Sequence, residues 1–254
     1  MCESVKVLSV GKMTGHRRRG WNIYESIFII FLVFLTGFIL LRSPLFEVRN
    51  IKVHGNQLLE EGKIISLSEI ATGSNIFKID LAEAKDKLKL IPLVKEARVT
   101  RSLPATVVIV IEERIPVGIL PTGEGFIEVD GEGIYLRKAS VGTPGLPLVT
   151  GVEFSLPSPG DVIVADGLKE ALAIINELDA DTVAVLSEVN IGYDGQIKLY
   201  TMQGVQCRFG LAENIREKGE IFTGLLAELR SALDRVNYID LSSVDKPVVY
   251  YKVD

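Results

Sequence analysis

"LIPLVKEARVTRSLPATVVIVIEERIPVGIL", Leu90–Leu120, holds two strand-forming runs, 94–101 and 106–114, joined by "SLPA". That arrangement predicts a β-hairpin. The second run contains Val107–Ile111, consecutive aliphatic residues, followed at once by Glu112, Glu113 and Arg114. A strand this apolar is expected to be buried on both faces. Val107, Ile109 and Ile111 line one face, and Val108 and Val110 the other. Upstream helices can cover the first face. The second needs a neighbour, either the following domain or a partner. The three charges mark where the strand leaves the covered region.

Upstream, "NIFKIDLAEAKDKLKLIP" carries a helix start signal. Asp80 can cap the helix, and Glu83, three residues on, completes a capping box. Leu81, Ala84, Leu88 and Ile91 then share a face. Pro92 ends the helix, because it disfavours helical geometry in the residue before it. Earlier still, Ile64, Leu67 and Ile70-Ala71 recur at helical spacing, with Gly73 as the stop. "FEVRNIKVHGN" reads as a strand with a bulge, closed by Gly55-Asn56. The order is strand, helix, helix, strand, strand.

This unit follows a different kind of segment. The chain has 254 residues, and its mean hydropathy of +0.29 is high for a protein with 24% charged residues. Ile23–Leu41 raises it: this stretch is apolar on all sides, and Glu25 is its only charge. At about 1.5 Å per residue, such a helix nearly matches a hydrocarbon layer of roughly 30 Å. Trp21 and Tyr24 stand at interface positions, and Ile27, Phe28, Phe31, Phe34 and Phe38 complete the anchor. The sequence after it, "LRSPLFEV", lacks small residues at cleavage spacing, which argues against a removed signal peptide. With no polar stripe, it is also a poor core helix.

Residues 1–22 carry Lys6, Lys12, Arg17, Arg18 and Arg19 against Glu3. Positive-inside bias therefore puts the tail in the cytoplasm and the remainder outside. The whole chain is −5; setting aside the +4 tail and Glu25 leaves −8 for residues 42–254. An acidic exterior repels phosphate backbones, so nucleic-acid binding is not expected. The two cysteines, Cys2 and Cys207, fall on opposite sides and cannot pair, and Cys207 in "GVQCRFG" reads as a small core residue.

Beyond Ile115, "GFIEVDGEGIYLRK" predicts a hairpin turning at Asp130-Gly131. "GLPLVTG" and a Pro/Gly-rich loop, "SLPSPGD", follow. Leu168, Leu172, Ile175 and Leu178 predict a helix, and "SEVNIGY", "QIKLYT" and "VQCRFG" predict strands. Ala212–Leu233 reads as one long amphipathic helix. "VNYIDLS" and "KPVVYYKV" are two further strands. Pro247 is tolerated at the start of a strand or on an edge, not inside a sheet. Val248 and Tyr250 point one way, and Val249 and Tyr251 the other. An apolar edge invites pairing with another chain.

The sequence offers little for catalysis. The histidines are His16, in the tail, and His54, at a strand end. There is no His–Cys cluster for a metal. The glycines near Gly131 and Gly133 lack phosphate-loop spacing and a following helix, and no calcium-loop pattern is present. Ser243–Lys246 matches S-x-x-K, but Pro247 and flanking strands make it a turn rather than a catalytic helix. No cofactor is expected.

The ordered set Phe46, Val48, Ile51, Val53-x-Gly55-Asn56, Gly73, Ile79-Asp80, Leu88, Pro92, Val94, Ala97, Val99, Arg101, Pro104, Glu112 and Pro116 resembles the POTRA domain of the FtsQ/DivIB family of bacterial cell-division proteins. Downstream, Asp130-Gly131, Leu146-Pro147, Gly151, Gly210, Lys218 and Tyr238-Ile239-Asp240-Leu241 resemble its β-domain. Leu93 and Leu103 stand where the family often has aromatics, and Ser242 where it commonly has Arg. The resemblance implies an α+β chain: a cytoplasmic tail (1–22), a transmembrane helix (23–41), a POTRA domain of order βααββ (45–114) and a mostly antiparallel β-domain with helices (115–254). It implies a non-enzymatic scaffold of the divisome in the cytoplasmic membrane, at the septum, linking early and late division proteins and helping control septal peptidoglycan synthesis. The implied partners are the bitopic proteins FtsL and FtsB/DivIC. It also points to the late edge strand, Val248, Val249, Tyr250 and Tyr251, as the partner site, with Lys246 as a rim charge. The alternatives are a membrane-tethered envelope enzyme acting on peptidoglycan and a transport module, although no run of barrel strands follows.

Overall fold

The computed structural model describes residues 23–139 and 145–252. The basic tail, Cys2, His16 and the anchor residue Trp21 lie outside the described residues. Helix α1, Ile23–Leu41, has the bounds of the sequence-predicted span and buries none of its residues. Tyr24, Ile27, Phe28, Phe31, Phe34 and Phe38 are all exposed on it. Among the described residues it is the one helix long and apolar enough to cross a membrane.

A short 3-10 turn, Pro44–Phe46, leads into the unit that the sequence resemblance marks as a POTRA domain. Its elements are β1 (Asn50–His54), α2 (Glu61–Ser68), α3 (Leu81–Lys89), β2 (Val94–Ser102) and β3 (Thr106–Glu113). The sheet order is β1-β3-β2, with β1 parallel and β2 antiparallel to β3. β3 is central, so it carries the aliphatic run. Val107, Ile109 and Ile111 are buried in one cluster with Ile64 of α2 and Ala84 and Leu88 of α3.

The other face of β3 is more open. Val110 is 42% exposed and Val108 half-buried. Lys52 and Thr100 flank Val108, and His54 and Arg98 flank Val110. Of these neighbours, Lys52 and Arg98 have the long aliphatic stems that can shield a strand's sides.

The three closing charges are fastened. Glu113 accepts from the backbone N–H of Leu58 at 2.6 Å and of Leu59 at 2.9 Å. Arg114 donates to Asp130 and Glu132 of the next domain. Lys95 pairs with Glu112 and Glu132. Arg101 donates to the carbonyls of Ile76 and Ile79, securing the loop before α3.

Two helix ends differ in detail. Asp80 caps α3 by accepting from the Ala82 and Glu83 N–H groups. Glu83 does not return the bond of a full capping box; it pairs with Lys87, four residues on. α2 stops at Glu69, whose left-handed φ of 54° reverses the chain before Gly73. Gly55 is needed for a different reason: with φ of 86°, a Cβ there would lie 2.0 Å from the Ile111 carbonyl oxygen.

The second unit contains β4 (Pro116–Thr122), β5 (Gly125–Asp130), β6 (Tyr135–Ala139), β7 (Leu148–Thr150), α4 (Leu168–Glu177), α5 (Ala180–Val185), β8 (Leu186–Ile191), β9 (Ile197–Thr201), β10 (Gln206–Gly210), α6 (Ile215–Glu228), β11 (Val236–Asp240) and β12 (Val248–Tyr251). One sheet runs β12-β11-β10-β9-β8-β7-β4-β5-β6. Most neighbours are antiparallel; β4–β7, β7–β8 and β10–β11 are parallel. Helices α4 and α6 cover one face, burying Leu172, Ile174, Phe209 and Phe222. Each such side chain contributes about 1.5–3 kcal/mol on burial.

The predicted helix Ala212–Leu233 is shorter than expected. Asn214, at φ 51°, delays its start, and Leu229 ends it. The chain then turns through a 3-10 segment at Leu233–Arg235. Leu225, Leu229 and Leu233 all still pack on the core, so the apolar spacing outlasts the helix. The β5–β6 hairpin is present, but Gly133, not Gly131, takes the positive φ. Asp130 organises that turn, accepting from the Glu132 and Ile134 N–H groups.

The two units are joined by more than the chain. Ile134 and Leu136, at the start of β6, belong to the apolar cluster of the POTRA domain. Leu93, Leu where the family often has an aromatic, is buried in that cluster, whereas Leu103 is exposed.

Candidate partner-binding edge

β12 lies at the end of the nine-stranded sheet and, among the described residues, pairs only with β11. Its burial follows the alternation expected from the sequence at Val248, Val249 and Tyr250, but not at Tyr251, which shares a face with Val249 and is nonetheless exposed. Val249 packs against the core, and Val248, Tyr250 and Tyr251 are exposed. Val248 stands opposite Asp240, Val249 opposite Ile239 and Tyr250 opposite Tyr238.

The backbone directions of β12 follow from its ends. The Lys252 N–H donates to Arg235 O at 2.8 Å, towards β11, and the Leu241 N–H donates to Arg208 O, away from β12. Successive residues of a strand aim their N–H and C=O groups to opposite sides. Val248 and Tyr250 therefore bond to β11, and the N–H and C=O of Val249 and Tyr251 face the open edge. Neither is proline, so both donors are available.

On the face away from the helices, cross-strand pairing puts Tyr200 of β9, Gln206 of β10, Tyr238 of β11 and Tyr250 of β12 in one row. The Tyr238 and Tyr250 rings stack at 4.3 Å with 22° between planes. The Arg208 guanidinium lies 3.9 Å from the Tyr238 ring centroid. A cation over the Tyr238 ring contributes about 0.5–1 kcal/mol in an exposed setting. Arg208 and Tyr238 are absent from the sequence-predicted set. They meet Tyr250 only through the sheet register, which periodicity does not supply.

Lys246 is exposed in the turn before β12. Ser243–Lys246 forms that turn and contains no helix, so the S-x-x-K spacing does not bring Ser243 and Lys246 onto one helical face. Ser242, where the family commonly has Arg, backs onto Gly210, whose added Cβ would lie 3.0 Å from the Ser242 Cα. His54 is exposed at the end of β1. Among the described residues, no group of three or more His, Cys, Asp or Glu could hold a metal ion. Cys207 is buried, and burial pushes its thiol well above the usual range.

The other strand edges are protected. Along β6, the Tyr135 N–H donates to Asp161 O, and the Gly160 N–H donates to Tyr135 O, so a loop occupies the start of that edge, and Arg137 and Lys138 put charge on the rest. β1 and β2 carry charges within the strand: Lys52, and Lys95, Glu96, Arg98 and Arg101. β12 has none, and charge on an edge is a common guard against pairing.

The profile of the POTRA domain, FtsQ-type, matches residues 46–114, and that of the cell division protein FtsQ/DivIB C-terminal region matches residues 118–242. The chain belongs to the FtsQ/DivIB family. The chain is similar to cell division protein FtsQ of Syntrophotalea carbinolica, 26% identical over 226 residues that cover 87% of this chain and 79% of that protein. It is also similar to cell division protein DivIB of Clostridium acetobutylicum, 25% identical over 214 residues, 82% and 84% of the two chains. FtsQ of Geobacter sp. (strain M21) is 27% identical over 235 residues, 91% and 80%. The solved extracytoplasmic domain of DivIB from Geobacillus stearothermophilus covers 48% of this chain and 98% of its own, at 17% identity and a TM-score of 0.32. Family membership assigns the chain to cell division.

Proposed function

We propose that the chain is a single-pass divisome scaffold of the cytoplasmic membrane. Residues 1–22 lie in the cytoplasm, 23–41 span the bilayer, and the POTRA domain (45–114) and β-domain (115–254) stand outside at the septum. It links early and late division proteins and helps control septal peptidoglycan synthesis without being an enzyme. Its partners are bitopic division proteins of the FtsL and FtsB/DivIC type.

One observation carries the partner site: β12 is an uncharged edge strand whose Val249 and Tyr251 backbone groups face outward. A partner segment adds there as a further strand. Tyr250 and Tyr251 supply buried area, and Lys246 supplies a rim charge.

Val249→Pro removes one outward N–H and leaves the β11 ladder its donors at Val248 and Tyr250. A pull-down with the FtsB/DivIC-type ectodomain should lose binding with this variant while its melting transition stays in place. Equal capture by wild type and variant, both folded, would overturn the edge assignment. A reporter active only outside the cytoplasm, fused after Asp254, checks the orientation and should be active.

A further inference from the structure

The POTRA domain is bonded to the end of the membrane helix. Asn75 Nδ2 donates to the carbonyl of Leu41, the last residue of α1, at 2.7 Å. The last carbonyls of a helix lack internal partners, so this bond satisfies one of them. The Asn75 Oδ1 atom in turn accepts from the Phe77 N–H at 3.0 Å. An isolated bridge also ties Asn75 to Glu47.

Helix length gives this contact its meaning. Nineteen residues at about 1.5 Å each span roughly 28 Å, against a hydrocarbon layer of roughly 30 Å. There is no slack, so a helix that spans leaves the Leu41 carbonyl at the boundary of that layer. The polar layer beyond it is only about 5–8 Å deep on each side. Asn75–Lys78, held to Leu41, must then lie within it.

The side chains there suit that layer. Leu45 is 47% exposed and Phe77 is 42% exposed. The Phe77 ring packs on Phe46 with centroids 5.1 Å apart, which fixes its direction. Arg42 lies over the Phe38 ring of α1, 4.4 Å from its centroid. Arg49 reaches the Pro44 carbonyl and so stays beside the same turn. Lys78 is exposed next to Phe77. Glu47, half-buried, is the acidic residue between Arg42 and Arg49 in the chain. Arg42 and Arg49 against Glu47 leave this turn basic in an otherwise acidic exterior, while Lys78 also neighbours Asp80 and Glu83.

We propose that Leu45 and Phe77 insert into the outer headgroup layer while Arg42, Arg49 and Lys78 bind anionic phospholipid. The POTRA domain is thereby seated on the membrane rather than held off it on a free tether. The occupant is a lipid surface, because the patch is continuous with the spanning helix. This inference rests on α1 spanning the bilayer.

The test uses the full chain carrying Trp21→Phe, which removes the sequence's one tryptophan. Phe77→Trp, Leu45→Trp and Tyr193→Trp are then made singly in that background. Tyr193, in the β8–β9 turn, is fully exposed and serves as the water reference. Each protein is reconstituted into phosphatidylcholine vesicles, with or without phosphatidylglycerol, containing lipids brominated near the top of the acyl chain. The indole of the Phe77→Trp and of the Leu45→Trp protein should be blue-shifted and quenched, more so with phosphatidylglycerol. Lys78→Glu should reduce the quenching in the anionic vesicles. Two reporters guard against either substitution disturbing the fold. If the protein floats with the vesicles while both of these indoles emit like that of the Tyr193→Trp reference, the seat is overturned and the span stands. Equal quenching in neutral and anionic vesicles overturns the anionic-lipid assignment. Failure to float overturns the spanning reading itself.

Discussion

Arg114 Nη1 donates to Asp130 Oδ2 at 2.6 Å, joining the end of β3 to the β5–β6 turn and so one domain to the other. The Asp130 side chain is only 7% exposed. Its other oxygen holds the turn that presents Ile134 to the POTRA core. A single carboxylate thus shapes the turn and receives the cation, while an apolar contact closes beside it. Mutual orientation of the domains follows from both links together.

Arg114→Ala should therefore cost about 1.5–3 kcal/mol, the usual worth of a hydrogen bond to a charged group left unpaired. Thermal melting of the purified chain measures it. In a double-mutant cycle with Asp130→Asn, the two losses should fall short of adding, because both variants break one bond.

Acid should loosen the same joint. Hydrogen bonds from Arg114 and then Lys95 hold the Glu132 carboxyl below its ordinary range. A carboxyl depressed in the folded state contributes stability above its unfolded pKa, about 4.3, and loses it as pH falls through the folded value. Asp179 shifts the same way, chiefly through the Thr182 backbone N–H. Melting temperature should fall below about pH 4, and the gap between wild type and Glu132→Gln should close over that range. A gap constant from about pH 6 to about pH 3 would remove Glu132 from the account.

Leu88 is fully buried between α3 and the POTRA sheet. Leu88→Ala should cost about 2–5 kcal/mol, and Leu88→Asp should unfold the domain outright. Ile134 and Leu136 complete the same core from the second domain. A fragment of residues 45–115 should accordingly melt below the POTRA domain of the intact chain, as fluorescence of a probe on α3 would report.

Lys218 tests a different point. It is buried on α6, and its Nζ donates to the carbonyls of Phe209 at 2.9 Å and Leu211 at 3.0 Å. Burial pulls its pKa below the ordinary value. The folded state holds that proton less tightly than the unfolded one, so wild-type stability should rise with pH between the folded value and about 10.4. Lys218→Met should orphan two acceptors at a cost of about 1–3 kcal/mol near neutrality. It should also abolish that alkaline rise, which paired melts at about pH 7 and above about pH 9 would show.

Sequence patterning reveals whatever is local. α1 declares itself by composition, α3 by its Asp80 cap and apolar face, and β12 by Pro247 followed by uncharged residues. β4 is hidden because Pro116 and Pro121 bracket it like loop residues. α5 is hidden because it is short, and its Asp179 cap only becomes informative beside Thr182 and Thr223. The long helix after Ala212 is over-read because Leu229 and Leu233 keep helical spacing through a turn. The Arg208, Tyr238 and Tyr250 stack depends on register across three strands, and the Asn75–Leu41 bond on residues far apart in the chain. Neither leaves a periodic trace.

The nine-stranded sheet is laid down almost in the order of its synthesis. The hairpin of β4 and β5 with β6 emerges first and forms one end; β12 emerges after the other eight strands and forms the other. A nascent chain halted anywhere earlier exposes a different strand at its growing margin, without the Val249 and Tyr251 groups proposed for docking. Under that proposal, translation through β12 becomes the condition for recruitment, and an unfinished copy is denied a place in the assembly without any separate surveillance.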